Sequence, residues 1–353
     1  MGPRQVGKTT LMQDYLSVTK IKSKMVTGDD FFIHKTLGSQ TLSEIKSFCE
    51  GYDLIAIDEA HKIPNIGIAM KIMVDNIPGI RVIATGSSSF ELAGQTGEPL
   101  TGRKTTLMLY PISQLEMLHH FNSFELKEKL QEFLIYGSYP SVITLKTVAE
   151  KTKMLNEITG SYLFKNILAF ERIRSPQLLI DLLRLLAFQI GHEVSVNELS
   201  KNLGIDNKTV KRFLELLEKA FIIYTLRDYS GNLRKEISKK PKYYFYDTGI
   251  RNAVIASFNP IGIRNDMGQL WENCLVMERI KKQSYTQLYT NNFFWRSWTK
   301  QKVDFVEERE GKLFGYEFKW SINKRKTPSL WLESHPEASY EIVNRNNYFK
   351  FIC

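Results

Sequence analysis

The sequence predicts an α/β chain. A parallel sheet behind a glycine-rich loop leads into a helical lid, a winged helix-turn-helix and a further region of alternating strands. Three observations carry that prediction. The chain opens on Gly2-Pro3-Arg4-Gln5-Val6-Gly7-Lys8-Thr9, apolar runs with polar tips recur over the first hundred residues, and helical and then alternating periodicities replace them further on.

The opening stretch fits G-x-x-x-x-G-K-[ST] at every required position. Such a loop offers backbone N–H groups to phosphates at a helix N-terminus, where the helix dipole also favours negative charge. Gly2 through Thr10 is therefore expected to cradle ATP, with Lys8 reaching the β- and γ-phosphates and Thr9 placing its hydroxyl on Mg²⁺. A β-strand should precede the loop, yet only Met1 does. Either the chain starts upstream of this Met1, or this is a shortened copy with impaired nucleotide binding. The first is the expectation here, because the later motifs are intact.

Thr10 to Val18 reads as a helix and Lys24 to Phe32 as a strand ending in Asp29 and Asp30. Tyr52 to Pro64 holds an apolar run that closes on Asp58 and Glu59, and Ile80 to Phe90 repeats the pattern. Unbroken apolar runs are what strands covered on both faces of a parallel sheet require, and ligands of such sheets sit at the strands' carboxyl ends. Asp58 is expected to hold the Mg²⁺, Glu59 to orient or deprotonate the attacking water, and Thr85 and Ser87 to sense the γ-phosphate. This ATPase core is expected over residues 1–115, its first strand missing.

A helical lid is expected over 116–180, from apolar spacing at i, i+3, i+4 and i+7. Arg103, just before it, reads as an arginine finger or sensor, or alternatively as a helix cap or ion-pair partner.

Residues 181–250 carry a short helix (Val196 to Asn202), a turn through Gly204 and a second helix (Asn207 to Ala220) with Val210, Phe213, Leu214 and Leu217 on its apolar face. Lys208, Lys211 and Arg212 start that second helix, as in a recognition helix. The stretch after it, with Arg234, Lys235, Lys239, Lys240 and Lys242, fits a wing touching phosphates. Winged helices serve equally as protein–protein adaptors.

Residues 251–353 hold a second chemical constellation. Asp304 falls in one alternating strand and Glu317 with Lys319 in the next, where a period of two puts Glu317 and Lys319 on one face. Two carboxylates and a lysine, with Glu272 as a fourth member, could hold a divalent metal and a polarised water for phosphodiester cleavage. The same E-x-K spacing at Glu44 and Glu125 sits in helical contexts, where it marks only an exposed face.

Charge points to the partner. The formal net charge is +10, and it is concentrated: 11 Lys/Arg against 5 Asp/Glu over 201–246, and 12 against 5 over 279–326. Two basic blocks on a near-neutral body suggest nucleic acid, most directly DNA. No apolar run approaches the roughly 18 residues of a membrane span, and no leader is evident, so no membrane partner and a cytoplasmic location are expected. The three cysteines, Cys49, Cys274 and Cys353, have no C-x-x-C spacing and read as reduced. Oligomerisation is left open.

Taken together, GPRQVGKTT, IDEAH, ATGSSS with LTGR, YGSYP, PKYYFYDTGI, GQLWENCL and VDFV…YEFKW resemble the archaeal and bacterial AAA-type ATPases that carry a C-terminal domain of unknown function. The resemblance spans nearly the whole chain. It implies an ATPase core and lid, a winged helix, and an α/β restriction-endonuclease-like domain similar to PD-(D/E)XK nucleases. Onto this sequence it carries Gly2, Gly7, Lys8, Thr9, Asp58 and Glu59 for ATP, and Glu272, Asp304, Glu317 and Lys319 for the nuclease-like site. Two departures stand out: the missing first strand, and Asn166 in the Lys165-Asn166 tract, where many members have an acidic residue.

Overall fold

β1 (Ser23–Thr27), β2 (Leu54–Asp58) and β3 (Arg81–Ala84) form a parallel sheet in the order β1-β2-β3 in this computed structural model. The structure describes residues 1–353 except 87–99, 101, 161–175, 231–235, 237, 238, 300 and 322–327. It divides into two units, Met1–Tyr110 with Lys219–Phe221, and Pro111–Glu218 with Ile222–Cys353.

In the first unit every residue of β2 is buried, as its unbroken apolar run requires. Ile55 and Ile57 pack with Ile33 and Leu37 of α2 (Phe31–Gly38), Ile45 and Phe48 of α3 (Leu42–Cys49), and Met70 and Met73 of α4 (Ile66–Asn76). Burying each such side chain contributes about 1.5–3 kcal/mol, which makes this cluster the main support of the sheet. The parallel register places Thr27 beside Asp58, so the polar tips of β1 and β2 end together.

One boundary differs from expectation. The strand read as running to Phe32 stops at Thr27, because the Asp30 side chain accepts a hydrogen bond from Phe32 N–H at 2.8 Å and caps α2. A further helix, α1 (Lys8–Val18), starts at the end of the phosphate loop. Ahead of that loop, the Met1 amino group donates to Leu107 O at 2.7 Å and Leu109 N–H donates to Met1 O at 2.8 Å.

The second unit begins with α5 (Gln114–Met117), α6 (Ser123–Glu128), α7 (Leu130–Tyr136), α8 (Pro140–Ile143) and α9 (Val148–Glu157). Three of these open with reciprocal capping boxes, Ser113 with Glu116, Asn122 with Glu125 and Thr147 with Glu150. Glu125, read from sequence as part of an exposed face, thus closes a helix start.

Next come α10 (Pro176–Phe188), α11 (Val196–Leu203) and α12 (Asn207–Lys219). Gly204 ends α11 in the left-handed region, φ 65°, and Val210, Phe213, Leu214 and Leu217 of α12 are buried. Lys208 and Lys211 lie exposed at the start of α12.

The unit's sheet has the order β5-β4-β6-β7-β8-β9. Its strands are β4 (Ile223–Asp228), β5 (Lys242–Phe245), β6 (Asn291–Arg296), β7 (Lys302–Arg309), β8 (Lys312–Phe318) and β9 (Ser339–Val343). β4 pairs antiparallel with β5 and parallel with β6, and Glu193 forms a bridge to Lys242. Strands of the 181–250 and 251–353 stretches therefore share one sheet. Arg234 and Lys235 of the expected wing lie outside the described residues.

α13 (Thr248–Val254) follows β5, and α14 (Met267–Tyr285) packs against β5 and β8. Trp271 of α14 is fully buried, with its ring 5.3 Å from Tyr348 and 5.5 Å from Trp320. No helix among the described residues is long and apolar enough to cross a membrane.

Candidate functional site

The loop from Gly2 to Gly7 makes its turn through backbone that side chains resist. Gly7, at φ 93°, is the N-cap of α1, and Gln5 also sits at positive φ. A Cβ on Gly2 would lie 1.9 Å from Leu109 O, so that approach requires glycine. Leu11 N–H makes the first helical bond, to Gly7 O, so the amides of Lys8, Thr9 and Thr10 have no partner within α1 and can face an anion. Val6 is buried and anchors the loop, and Pro3 and Arg4 complete its span.

Charged and hydroxyl groups of the loop and of the β2 and β3 tips are linked to one another. Lys8 folds back on the loop and donates to Gly2 O at 3.0 Å and to Pro3 O. Burial pushes its amine down to about 8, while Glu59 and Asp58 pull the other way. Thr9 Oγ1 donates to Asp58 Oδ2 at 2.8 Å, and the Thr85 hydroxyl donates to Asp58 Oδ1. Glu59 N–H donates to Thr85 Oγ1 at 3.1 Å, which ties the tips of β2 and β3 together. The Glu59 backbone is left-handed, φ 47°, and its carboxylate lies 3.4 Å from His61 Nε2.

The Thr9 hydroxyl and the Asp58 carboxylate supply the oxygen donors that suit a hard cation such as Mg²⁺. Arg103 is placed elsewhere: its guanidinium is engaged by Asp75 of α4. An ion-pair role, one of its sequence alternatives, is the one seen. Ser87 lies outside the described residues, as does the Lys165-Asn166 tract.

In the second unit, Glu272 of α14, Asp304 of β7, Glu317 of β8 and Lys319 just after it all belong to the surroundings of one cleft of about 530 Å³. Each carboxylate is already engaged. Glu272 Oε1 accepts from Lys242 Nζ at 2.8 Å and from Tyr244 OH at 2.6 Å. Asp304 Oδ2 accepts from Phe318 N–H at 3.0 Å, and Lys302 Nζ stands 2.8 Å from Oδ1 as its ion-pair partner. Glu317 is held by Lys319 and by the Tyr340 hydroxyl.

Burial alone would push the Asp304 carboxyl up, but Lys242 and Lys302 hold it below the usual carboxylate range. Burial would likewise lower Lys302, but Asp304 and then Glu272 raise it. Among the described residues no three His, Cys, Asp or Glu side chains gather as a metal site. Lys242 engages Glu272, Lys302 stands at Asp304 and Lys319 holds Glu317. Sequence reasoning assigned Lys242 to a wing. The Lys302-Val303-Asp304 alternation was the one local signal that Lys302 shares a face with Asp304.

Comparison with known proteins divides the chain in three. Residues 1–118 match a family described as AAA domain, 127–262 a domain of unknown function (DUF8612) and 267–349 a domain of unknown function (DUF4143). The first unit thus carries an AAA domain. An uncharacterized protein of Mycobacterium tuberculosis is 25% identical over 334 residues, covering 93% of this chain and 70% of that protein. An uncharacterized Haemophilus influenzae protein is 28% identical over 183 residues, covering 49% of this chain and 46% of its own length. A structure of AMPPCP-bound DnaA from Aquifex aeolicus overlaps 62% of this chain and 80% of that one at 14% identity, with a TM-score of 0.28, too slight a likeness to place fold or ligand.

Proposed function

We infer that the chain binds ATP with Mg²⁺ in the Gly2–Thr10 loop, hydrolyses it, and couples nucleotide state to DNA contact through its C-terminal half, in the cytoplasm. The observation that carries the reading is the hydrogen bond from Thr9 to Asp58, which brings the loop and the acidic strand tip to one point. When bound there, Mg²⁺ would neutralise charge on the β- and γ-phosphates.

The chain's own groups do the rest. The amides at the start of α1 that have no partner within that helix and the Lys8 ammonium bind phosphate oxygens, and Lys8 must leave the carbonyls of Gly2 and Pro3 to do so. Asp58, fixed by the Thr85 hydroxyl, holds the Thr9 hydroxyl in place. Glu59, beside it and partly exposed, is the group to accept a proton from the attacking water.

A winged helix over 181–250 is supported by the order of its parts. The Glu193 bridge, α11, the Gly204 turn, α12 and the β4–β5 pair follow one another as that fold requires. The divisions 1–115, 116–180, 181–250 and 251–353 stand as proposed domains within this reading.

A second reading keeps ATP binding but makes the C-terminal end a binding module with an inactive nuclease-like site. It is favoured by the lysine that engages each of Glu272, Asp304 and Glu317.

Titration of the purified chain with a fluorescent ATP analogue and Mg²⁺ tests the first step. Binding that is lost in Lys8→Ala supports the reading, and binding that survives unchanged removes it. Incubation with DNA and Mg²⁺ or Mn²⁺ separates the two C-terminal readings: cleavage abolished by Asp304→Ala supports the nuclease, and intact DNA supports the binding module.

A further inference from the structure

The charge around the C-terminal cleft is arranged in two layers. Lys242, Arg296, Lys302 and Lys319 line the space together with Glu193 and Glu272. Asp304 and Glu317, only 1% and 5% exposed, stand behind that lining. Within the lining Arg296 pairs with Glu193 and Lys242 with Glu272, each at 2.8 Å, so these four charges offset one another. Lys302 and Lys319 take their counter-charge from the layer behind, and the surface they turn to the cleft is cationic. An ammonium carries three donors, so a single carboxylate partner leaves each with capacity for phosphate oxygens.

The turn that joins two of the lining residues adds an aromatic group. Arg296 and Lys302 are partners across β6 and β7, and the turn between them is closed by Ser297 N–H donating to Gln301 O at 2.8 Å. Trp298 sits in that turn and is 93% exposed. Cations along a groove with a solvent-facing indole on an adjoining turn are the pairing that holds single-stranded nucleic acid: the cations follow the backbone and the ring takes the face of an unstacked base. A volume of about 530 Å³ suits a nucleotide-sized group.

We propose that this cleft holds the phosphate backbone of single-stranded nucleic acid without a metal ion, with Lys302 and Lys319 supplying the positive charge and Trp298 stacking on a base at the adjoining turn. The proposal rests on the nucleic-acid reading given above and deepens it. A divalent ion at the same place would have to strip the lysines from Glu272, Asp304 and Glu317 and then sit among the displaced ammoniums, which repel it. Phosphate meets the opposite situation, since it adds to the ammoniums without breaking their pairs.

The full chain is titrated into fluorescein-labelled oligothymidylate, alone and as a duplex with its complement, in EDTA and then with Mg²⁺ or Mn²⁺. The single strand binds in EDTA, more tightly than the duplex and with an affinity neither metal improves. Trp298→Ala, a change confined to an exposed side chain, weakens that binding about tenfold. Lys302→Gln, with its melting curve recorded alongside, lowers the slope of log affinity against log salt by about 0.7. Binding that appears only with metal, that favours the duplex, or that Trp298→Ala leaves unchanged overturns the proposal while the nucleic-acid reading stands. Failure to bind either DNA removes both.

Discussion

Thr9 and Asp58, 49 residues apart in sequence, meet in a 2.8 Å hydrogen bond from the threonine hydroxyl to the carboxylate. One residue lies in the first turn of the helix that follows the glycine-rich loop, and the other ends the buried strand β2. Their contact brings a hydroxyl and a carboxylate together beside the glycine-rich loop, and the proposed ATPase chemistry depends on it.

Glu59 follows Asp58 but points to a different task, being partly exposed and unpaired with Thr9. Glu59→Gln keeps the shape and removes the base. ATP hydrolysis, followed by phosphate release, is expected to fall about 100-fold while nucleotide affinity holds. Unchanged turnover would take the proton-accepting role away from this residue.

Lys8 sets a pH dependence. Burial pushes its pKa down to about 8 from 10.5, so the free protein carries the ammonium below that value and the neutral amine above it. Phosphate favours the ammonium. Nucleotide affinity should therefore be level below about pH 8 and fall by up to about tenfold per unit above it, because binding must then take up a proton. The stability of the nucleotide-free first unit should move the other way, rising with pH above about 8, where the unfolded chain binds more protons. Equilibrium binding at several pH values checks the first trend, and Lys8→Arg should flatten it.

The two loop glycines should respond unequally to alanine. At Gly2 the new Cβ would meet Leu109 O at 1.9 Å, whereas at Gly7 it would meet nothing within 4 Å. Gly7→Ala then carries only the left-handed backbone cost, about 1 kcal/mol. Gly2→Ala must also displace main chain. Melting curves and ATP-analogue titrations should rank Gly2→Ala as the more damaging, and the reverse order would mean that the loop is shaped otherwise.

Buried and exposed ion pairs should differ in the same way. Arg279 holds Glu307 through two hydrogen bonds with both side chains buried, and Gln283 Nε2 adds a third at 2.6 Å. Glu307→Gln leaves a buried guanidinium without its counter-charge, and urea unfolding should show a loss of about 3 kcal/mol. Arg103→Ala breaks a half-exposed pair with Asp75 and should lose less than about 1 kcal/mol.

The phosphate loop was legible because its signal is local: glycine spacing, a lysine and a threonine fix the turn and the helix start. Asp58 was legible because a continuous apolar run closing on an acid reads as a buried strand with a polar tip. The end of β1 was misplaced for an equally local reason, since Asp30 fits a strand tip and a helix cap and the side-chain bond to Phe32 N–H decides between them. The partner of Glu272 had no comparable signal. Lys242 lies 30 residues from Glu272 and reaches it only because β5 and α14 pack together.

The sequence by itself determined the short-range features: which residues form the glycine-rich turn before α1, which runs are buried strands, where the second unit's helices turn, and that the positive charge lies in the C-terminal half. Only the tertiary structure decided that β4 and β5 join the sheet of β6 to β9, that Arg103 goes to Asp75, and that Lys242 meets Glu272. The reason is physical. Backbone propensity and periodicity act over a few residues and are written in order along the chain, whereas an ion pair depends on which side chains burial forces together, however far apart they are in sequence.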